Sequence, residues 1–414
     1  MTTHKGSSLP EGKQDPTLSL YHLLNPEVLA NPYPLYHRLR SEDPVHWDHY
    51  LHTWVVTCYA DVITVLRYFS AHRIPTPEQL TALGLSAMTP LAQMMAHQTM
   101  FLDPPAHTRM REITSKAFAP CQVEILRSHI RDITNSLLDA IEDKGHMDVI
   151  ADLAYPLSAM VTAKMLGVPT SDWKQLTMWS ADLGKVLGNF QYNLEHIQQV
   201  VGSLEEMTTY FRTAIEDQKK HPRDGFISTF LNAEMAGERL TDEEIVANAL
   251  LVMAGGQEET TNLIGNGILT LLRHQDQLEK LRADLSLLPS AVEEVLRYES
   301  ASQYTARLAH DDVELGGKKI RKRQAVIAVM GAANRDPERF PDPDSFDICR
   351  QDNRHLTFGW ASHFCVGAQI ARIEAKNAFG AVLERMPNLQ LAPGPLVWRE
   401  SQGLRGLAAL HVTF

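Results

Sequence analysis

One long helical pattern limits the folds open to this 414-residue chain more than any other feature. The segment 241–274, TDEEIVANALLVMAGGQEETTNLIGNGILTLLRH, carries apolar residues at helical spacing, and Thr241 with Glu244 predicts a capping box at its start. Its length at ~1.5 Å per residue gives a rod of ~50 Å, enough to cross a whole domain. We therefore expect a fold built around one central helix.

The middle of that helix departs from a core pattern at AGGQEETT. Gly255 and Gly256 each cost roughly 1 kcal/mol against alanine in a helix interior. Glu258, Glu259 and Thr260 place polar groups where a core helix should be apolar. Such breaks of a local rule are expected at functional positions. A kink whose polar residues face solvent explains the stretch equally well.

A single cysteine lies in the loop FGWASHFCVG, residues 358–367, just ahead of a helical pattern. A thiolate at a helix start receives backbone N–H groups and the positive end of the helix dipole. Gly359 and Gly367 leave room for a flat ligand beside the backbone, and Phe358 can screen the sulfur from water. These features favour a metal-ligating thiolate at Cys365, although a buried free thiol is the commoner role for a lone cysteine.

The stretch SAVEEVLRYES places Glu294 and Arg297 on one face of a predicted helix. On a surface such an ion pair contributes well under ~1 kcal/mol. Val292, Val295 and Leu296 surround it and favour partial burial. A buried pair needs further partners from elsewhere in the chain.

Composition excludes several classes of protein. The net charge of −11 argues against a nucleic-acid partner. The four cysteines lack metal-finger or CxxC spacing and do not suggest a disulfide framework. The N-terminus lacks a basic start followed by an apolar run, and no segment offers ~18 uninterrupted apolar residues. The sequence therefore predicts a soluble, cytoplasmic protein with no membrane span, whose residues 1–20 form a loose polar arm.

Helical periodicity dominates from about residue 105 to 300, and strand-like stretches occur near residue 55, between 312 and 330, and at the C-terminus. The intervening NRDPERFPDPDSFDICR is too rich in proline and aspartate for a long helix. No repeat or flexible linker divides the chain. We expect a mainly α fold over residues 1–414, a single large helical domain with a small β-rich region.

In this order and spacing, these stretches resemble the cytochrome P-450 superfamily of haem-thiolate enzymes, most closely the bacterial soluble type. The likeness covers nearly the whole chain and is carried by DPPAHTRMREITSKAFAP, GGQEETTN, EEVLR, ANRDPERFPDPDSFDICR, HLTFGWASHFCVGAQIARIE and LRGLAAL. Each motif alone is weak or moderate, but together they are highly specific. The resemblance implies a P-450 fold with the central helix over a haem b group.

The resemblance also implies a role for each motif. Cys365 is expected as the axial thiolate on the haem iron, and Glu294, Arg297 and Arg350 as a buried ion-pair core that holds the cysteine loop. The haem carboxylates need basic partners. At the matching positions these are His107, Arg111, Arg307, His355 and His363. The residues expected to line the haem are Gly255, Gly256, Phe358, Gly359 and Gly367.

Two positions depart from the family pattern. Ala361 stands where the family has glycine, which we expect to be tolerated with a small shift of the loop. Glu259 stands where the family has threonine, and the threonine follows as Thr260. In the family that alcohol and the preceding acid, here Glu258, help to deliver protons to dioxygen.

Two adjacent buried carboxyl groups repel each other, so one of them is expected to hold a proton near neutral pH. The hypothesis is an altered proton relay in which hydrogen peroxide can replace dioxygen and electrons. Two alternatives stay open. A one-residue bulge brings Thr260 into the place of the usual threonine, or Glu259 points away and waters or substrate groups complete the relay.

By resemblance, the segments that face the substrate include the methionine-rich stretch of about 73–100, which suits a pliable apolar pocket and equally suits plain core packing. A lipophilic small molecule is the expected substrate.

Electrons are expected from a ferredoxin-type partner with its reductase, and the protein is expected to be a monomer. A face of basic residues is predicted to dock this partner, and the alternative is that these residues are scattered solvated charges. They are Arg109, Lys116, Arg350, Arg354 and Arg372.

The leading functional hypothesis is a monooxygenase that hydroxylates or epoxidises a lipophilic molecule with dioxygen. Its alternative within the same fold is a peroxygenase, or an oxidative coupling or desaturating enzyme, because of Glu259. A non-catalytic haem-thiolate binding or sensor protein is the rival from another class. That rival explains the cysteine loop but not the acid-rich break in the central helix.

Overall fold

Helices form most of the chain in the computed structural model, which describes residues 15–187, 189, 194–235 and 238–414. The α-helices of the described residues are α1 (Pro26–Ala30), α2 (Tyr33–Glu42), α3 (Tyr59–Tyr68), α4 (Pro77–Ala82), α5 (Thr89–Met95), α6 (Ala106–Ala117), α7 (Pro120–Asp139), α8 (Tyr155–Leu166), α9 (Trp173–Leu187), α10 (Leu194–Lys220), α11 (Phe226–Leu231), α12 (Asp242–Arg273), α13 (Gln275–Ala283), α14 (Leu288–Tyr298), α15 (Met330–Ala333) and α16 (Ala368–Arg385). Short 3-10 turns lie at Leu20–Leu24, Ser86–Met88, Thr99–Phe101, Glu142–Lys144, Thr170–Asp172, Leu285–Leu287 and Ala361–His363, and a π-helical turn spans Val149–Ala154.

The strands are short and belong to small sheets. They are β1 (Val45–Asp48), β2 (Thr53–Val56), β3 (His146–Asp148), β4 (Glu234–Met235), β5 (Glu238–Arg239), β6 (Thr305–Leu308), β7 (Val313–Leu315), β8 (Lys318–Ile320), β9 (Ala325–Ala328), β10 (Gln390–Leu391), β11 (Val397–Trp398), β12 (Leu407–Ala409) and β13 (His411–Thr413). The mainly α prediction is confirmed. The predicted strand regions contain β2, β7 to β9, β12 and β13, whereas short strands such as β1, β3 and β6 were missed.

The largest sheet of the described residues has the strand order β1-β2-β9-β6. The β2–β9 pair is parallel, with Trp54 opposite Val326, and both outer pairs are antiparallel. One apolar cluster covers one face of this sheet and includes Val56 and Ala328, while a second includes Val55 and Ile327. These alternating residues follow the two-residue period of a strand buried on both faces.

The central helix α12 forms as predicted. The Thr241 hydroxyl accepts from the Glu244 N–H at 3.1 Å, and the Glu244 carboxylate accepts from the Thr241 N–H at 2.9 Å, which completes the capping box. The chain is α-helical throughout from Asp242 to Arg273, with no π-helical turn at the glycine pair. Most of its residues are buried because α8, α9, α14 and α16 all pack against it. Glu258 and Thr260 are buried, so these polar residues do not face solvent, and the one-residue bulge that would bring Thr260 into the place of the usual threonine is absent from this helix.

The last residues of the predicted N-terminal arm are packed into the fold. Leu18 and Leu20 are buried in the cluster that also contains Tyr36 and Ile327. The Ser19 hydroxyl donates to the Asp48 carboxylate at 2.9 Å. The prediction of a loose arm up to residue 20 is wrong for these residues, because their apolar side chains fill the space beside the sheet. Residues 1–14 lie outside the described part.

One helical stretch of the described residues, Val149–Leu166, is long and apolar enough to cross a membrane by length and composition. However, 72% of it is buried inside the fold, as in the core helix of a soluble protein. It packs along α12, which explains its apolar composition.

Candidate active site

A cavity of about 300 Å³ lies between α12 and the cysteine loop, and we call it the central cavity. From α12 it is lined by Gly255, Gly256, Glu259 and Thr260. Its opposite wall comes from the loop and the start of α16, with Phe358, Gly359, Cys365 and Gly367. The structure thus brings together two motifs that are about a hundred residues apart in the chain.

Cys365 occupies the cavity wall three residues before α16 begins. Its backbone N–H donates to the Phe358 carbonyl at 2.8 Å, which closes the loop. The surface that its side chain exposes belongs to the central cavity. Burial away from bulk water raises the pKa of the thiol to about 11. A stable thiolate at this position therefore needs a cationic partner in the cavity, such as a bound metal ion.

The glycines of the site serve different purposes. Gly359 has φ +73°, a left-handed conformation that favours glycine, and a Cβ atom on Gly367 would lie 3.9 Å from the Cys365 sulfur. At Gly255 an added Cβ would meet nothing within 4 Å, so it would project into open space. At Gly256 it would lie 2.7 Å from the Thr162 hydroxyl. Gly256 therefore also permits close packing of α12 on α8.

One end of the cavity is basic and has unpaired polar atoms. Arg111, Arg307 and His363 line it, and the His107 ring lies 4.1 Å from that of His363. Nε of Arg307 and Nε2 of His107 are buried without a partner among the described residues. Burial, with Arg307 close by, lowers the pKa of His363 to about 3. A ligand that carries carboxylates would satisfy these donors, so the cavity fits a haem whose acidic groups lie at this end.

His355 does not share that position. The residues that the structure describes as lining the cavity do not include His355. Its Nε2 lies 3.2 Å from the Glu293 carboxylate, and its Nδ1 accepts from the Thr357 N–H at 3.3 Å. Both ring nitrogens are already engaged inside the protein. The prediction that His355 binds a haem carboxylate is therefore corrected, because its side chain braces the cysteine loop instead.

Glu294, Arg297 and Arg350 form the buried network that the sequence suggests. Glu294 and Arg297 are fully buried and make a bidentate pair with two contacts of 2.8 Å, and Arg350 lies 3.2 Å from Glu294. Arg297 also donates to the carbonyls of Asn334, Pro343 and Ser345 at 2.7–3.0 Å. This network fixes the irregular segment that leads to the cysteine loop and supplies the additional partners that a buried ion pair requires.

The two neighbouring glutamates of α12 face different environments. Glu258 is buried and accepts from the Arg399 guanidinium, with its second oxygen unpartnered among the described residues. Glu259 faces the cavity, and burial together with the nearby Glu258 raises its pKa to about 7. The expectation of one proton held near neutral pH therefore fits Glu259. Sequence reasoning missed Arg399, which is 141 residues away in the chain and carries no local signal.

A further acid, Glu374, lines the cavity and was also missed. It lies on α16, nine positions after Cys365. One of its carboxylate oxygens has no partner among the described residues, and burial raises its pKa well above the usual value. The available signal was an acid placed among the apolar residues of that helix, such as Ile370 and Ile373.

The predicted docking face is largely used within the fold. Arg109 is paired with Glu244, Arg350 with Glu294, and Arg372 with Glu293. The two remaining members, Lys116 and Arg354, have exposed side chains. Three of the five predicted basic residues therefore have internal structural partners.

A thiol beneath a long helix, a cavity with unpaired basic groups at one end and a buried Glu-Arg-Arg network are the features expected of a haem-thiolate oxidoreductase. Comparison with known proteins agrees, because the family model "Cytochrome P450" matches residues 154–387. The biotin biosynthesis cytochrome P450 of Bacillus subtilis (strain 168) is 38% identical over 94% of this chain and 97% of its own length. The cytochrome P450 monooxygenase PikC of Streptomyces venezuelae is 37% identical over 94% of this chain and 92% of its own.

Solved structures show the same fold. P450BioI in complex with an acyl carrier protein ligated to hexadec-9Z-enoic acid matches with a TM-score of 0.88 at 38% identity, over 94% of this chain and 100% of that one. Myxobacterial CYP267B1 in complex with myristic acid matches with a TM-score of 0.87 at 37% identity, over 95% of this chain and 98% of that one. The chain belongs to the cytochrome P450 family of haem-thiolate monooxygenases.

Proposed function

We propose that this protein inserts one oxygen atom into a C–H or C=C bond of a lipophilic small molecule, using dioxygen and two electrons. The observation that supports the proposal best is the central cavity, in which the Cys365 thiol faces Glu259 across an otherwise largely apolar space. Apolar residues such as Met100, Leu251 and Val252 line the same cavity. Such a lining favours substrates with few charges.

Haem b is the proposed cofactor, and when bound it supplies the iron chemistry that activates oxygen. Cys365 would ligate its iron, and Arg111, Arg307, His107 and His363 would hold its carboxylates. Phe358, Gly359, Gly367, Gly255 and Gly256 would border the ring. The bidentate geometry of arginine suits the carboxylates, and the burial of Arg307 excludes water from them.

Proton delivery is proposed to depend on Glu259. Its carboxyl is the acidic group of α12 that faces the cavity, and a pKa of about 7 lets it gain and release a proton near neutral pH. Glu258 would support Glu259 from outside the cavity lining, with its charge balanced by Arg399. Thr260 also lines the cavity and supplies a hydroxyl to the same relay.

Peroxide-driven oxidation is a second candidate function, and Glu259 is the specific observation that favours it. A neutral carboxyl in the cavity can donate a proton to peroxide and, once ionised, accept one back. The same enzyme would then need no electron partner. Oxidative coupling or desaturation would use the same cavity, but these reactions remove two hydrogen atoms from the substrate, and the oxygen leaves as water instead of entering the product.

The names of relatives support a lipophilic substrate. Solved neighbours are described in complex with a fatty acyl group on a carrier protein, with myristic acid and with testosterone. These molecules share a long or fused apolar skeleton. We propose such a skeleton for the substrate of this chain.

We also propose a ferredoxin-type electron donor with its reductase, and a single-domain, cytoplasmic monomer. Lys116 and Arg354 are the exposed members of the predicted docking face that remain available to an acidic partner.

The test begins with haem-loaded protein and a panel of fatty acids, steroids, terpenoids and polyketides. Displacement of iron-bound water, read from the haem absorption spectrum, identifies binders. Product analysis with ferredoxin, reductase and dioxygen, and separately with hydrogen peroxide, distinguishes the two candidate functions. A haem-loaded protein that forms no oxidised product from any binder under either condition contradicts both and favours a sensor.

A further inference from the structure

Glu293 joins the two sides of the cysteine loop. It lies on α14 next to the buried Glu294, and its carboxylate accepts from Nε and Nη2 of Arg372 at 2.6 and 2.8 Å. One of the same oxygens lies 3.2 Å from Nε2 of His355. His355 precedes the loop and Arg372 follows it on α16. A single carboxylate of α14 therefore ties the entry of the loop to its exit.

The contact between His355 and Glu293 has a fixed direction. The Thr357 N–H donates to Nδ1 of His355, so Nε2 is the nitrogen that carries the proton and donates to Glu293. Burial lowers the pKa of His355, which keeps the ring neutral. The two arginine donors and the imidazole donor lower the pKa of Glu293 to about 2, against the effect of its burial. The three side chains thus form one ordered unit.

Arg372 also contacts the aromatic residue of the loop. Its guanidinium carbon lies 4.5 Å from the centre of the Phe358 ring. The carbonyl of Phe358 accepts the Cys365 N–H at 2.8 Å, and the Phe358 ring lines the cavity. The guanidinium and the His355 ring therefore both pack against Phe358, and the Phe358 carbonyl in turn holds the backbone of Cys365.

The Glu293 unit differs from the neighbouring Glu294 network. Glu294 and Arg297 have no exposed surface, whereas the side chains of Arg372 and Glu293 are 33% and 29% exposed. The Glu294 network binds the segment before the loop, around Pro343 and Ser345. The Glu293 unit reaches the loop itself.

We propose that Glu293, Arg372 and His355 are positioning residues that hold Phe358 against the Cys365 loop and so set how strongly the thiolate donates to a bound haem iron. The proposal rests on the haem-thiolate character of the site but not on any particular substrate. It reassigns Arg372 from partner docking and His355 from haem-carboxylate binding. Groups that orient a metal ligand in this way are known to affect metal affinity and redox behaviour.

The decisive variant is Arg372→Lys, tested on haem-loaded full-length protein. Lysine keeps the positive charge but lacks the planar fork that pairs with Glu293 and stacks on Phe358. The readouts are the red-shifted Soret band of the reduced carbon monoxide complex, its rate of conversion to a form without the thiolate band, and the midpoint reduction potential. We expect conversion about tenfold faster than in the native protein, at the low end of the effects of groups that orient a metal ligand, together with a shifted potential.

Arg354→Lys is the matched control, because Arg354 is 77% exposed and its 3.6 Å contact with Asp352 lies outside this unit. It should leave the conversion rate and the potential unchanged. Glu293→Gln provides a second variant with a similar shape, and it should reproduce the faster conversion because the charged partner of Arg372 is lost. All readouts are taken on the haem-saturated fraction.

The proposal is overturned if Arg372→Lys and Glu293→Gln both convert within about twofold of the native rate and keep the native potential, far below the effect expected for such groups. A native protein that never shows the thiolate band overturns the haem-thiolate assignment itself. Failure to turn over any tested substrate, with the variant effects present, leaves this proposal standing and contradicts only the proposed oxidation.

Discussion

Glu258 and Glu259 are consecutive residues of α12, yet the first is buried against Arg399 and the second opens into the cavity that contains Cys365. One step along an α-helix turns a side chain by about a quarter of a turn or slightly more, which is enough to separate the two carboxyls. Arg399 pairs with Glu258, so Glu259 is the one of these two carboxyls whose proton is exchangeable within the cavity. This division of roles underlies the first two predictions.

Replacing Arg399 with glutamine should destabilise the protein by about 3 kcal/mol, because the buried Glu258 carboxyl would lose its ion-pair partner. The free energy of unfolding of the haem-loaded protein in urea measures the effect. Arg223→Gln is the control, since it breaks an exposed pair with Asp217 and should cost under ~1 kcal/mol. Equal losses for the two variants would contradict the importance of the Glu258–Arg399 pair.

Peroxide-driven turnover should depend on pH with an inflection near the Glu259 pKa of about 7. Below that pH the carboxyl is protonated and can donate, and above it the donor is lost, so activity should fall as the pH rises. Glu259→Gln and Glu259→Thr should both lose this inflection. The same inflection in either variant would show that another group titrates.

Glu374→Gln should change how stability depends on pH. The folded protein holds the Glu374 proton well above the usual pKa of 4.5, so the native state binds more protons than the unfolded chain. The free energy of unfolding of the native protein, relative to that of the variant, is therefore highest below pH 4.5. It falls as the pH rises, by at most about 1.4 kcal/mol per pH unit. Unfolding at several pH values measures this, with the exposed Glu384→Gln as the control. Parallel curves for Glu374→Gln and the native protein would contradict it.

Ala361→Gly should stabilise the cysteine loop. Ala361 has φ +57°, a left-handed conformation that costs a residue with a Cβ about 1 kcal/mol. Glycine should recover roughly that amount, less its own greater freedom in the unfolded chain. Ala381→Gly, inside α16, should instead lose about 1 kcal/mol. Thermal unfolding of both variants compares the two, and a loss in Ala361→Gly would show that the loop does not carry this strain.

The adjacent glycines of α12 should respond oppositely to alanine. Gly256→Ala places a Cβ atom 2.7 Å from the Thr162 hydroxyl, so Thr162 must rotate or α8 must move away from α12, and stability should fall by about 1–3 kcal/mol. Gly255→Ala meets nothing within 4 Å and should gain about 1 kcal/mol of helix stability. Urea unfolding of the haem-free protein distinguishes them, because a bound haem would border both glycines. Similar effects at both positions would contradict the assignment of Gly256 to helix packing.

Much of the fold could be predicted from local patterns. The capping box at Thr241 and Glu244 involves residues three apart, so the start of α12 follows from sequence alone. The pairing of Glu294 with Arg297 also lies within one helical turn. The expectation of one proton held near neutral pH depended on two adjacent acids and agrees with the raised pKa of Glu259. By contrast, the sequence left open whether Ala361 needs a left-handed backbone.

The sequence by itself determined the family, the long central helix and the cysteine that faces it, because each depends on periodicity, caps or motifs within a few residues of one another. Only the tertiary structure decided the partners of Glu258 and Glu293. Arg399 neutralises Glu258, and Arg372 and His355 hold Glu293 rather than a redox partner or the haem. Burial and ion pairing depend on which distant segments meet, and that choice is made by packing the whole chain at once.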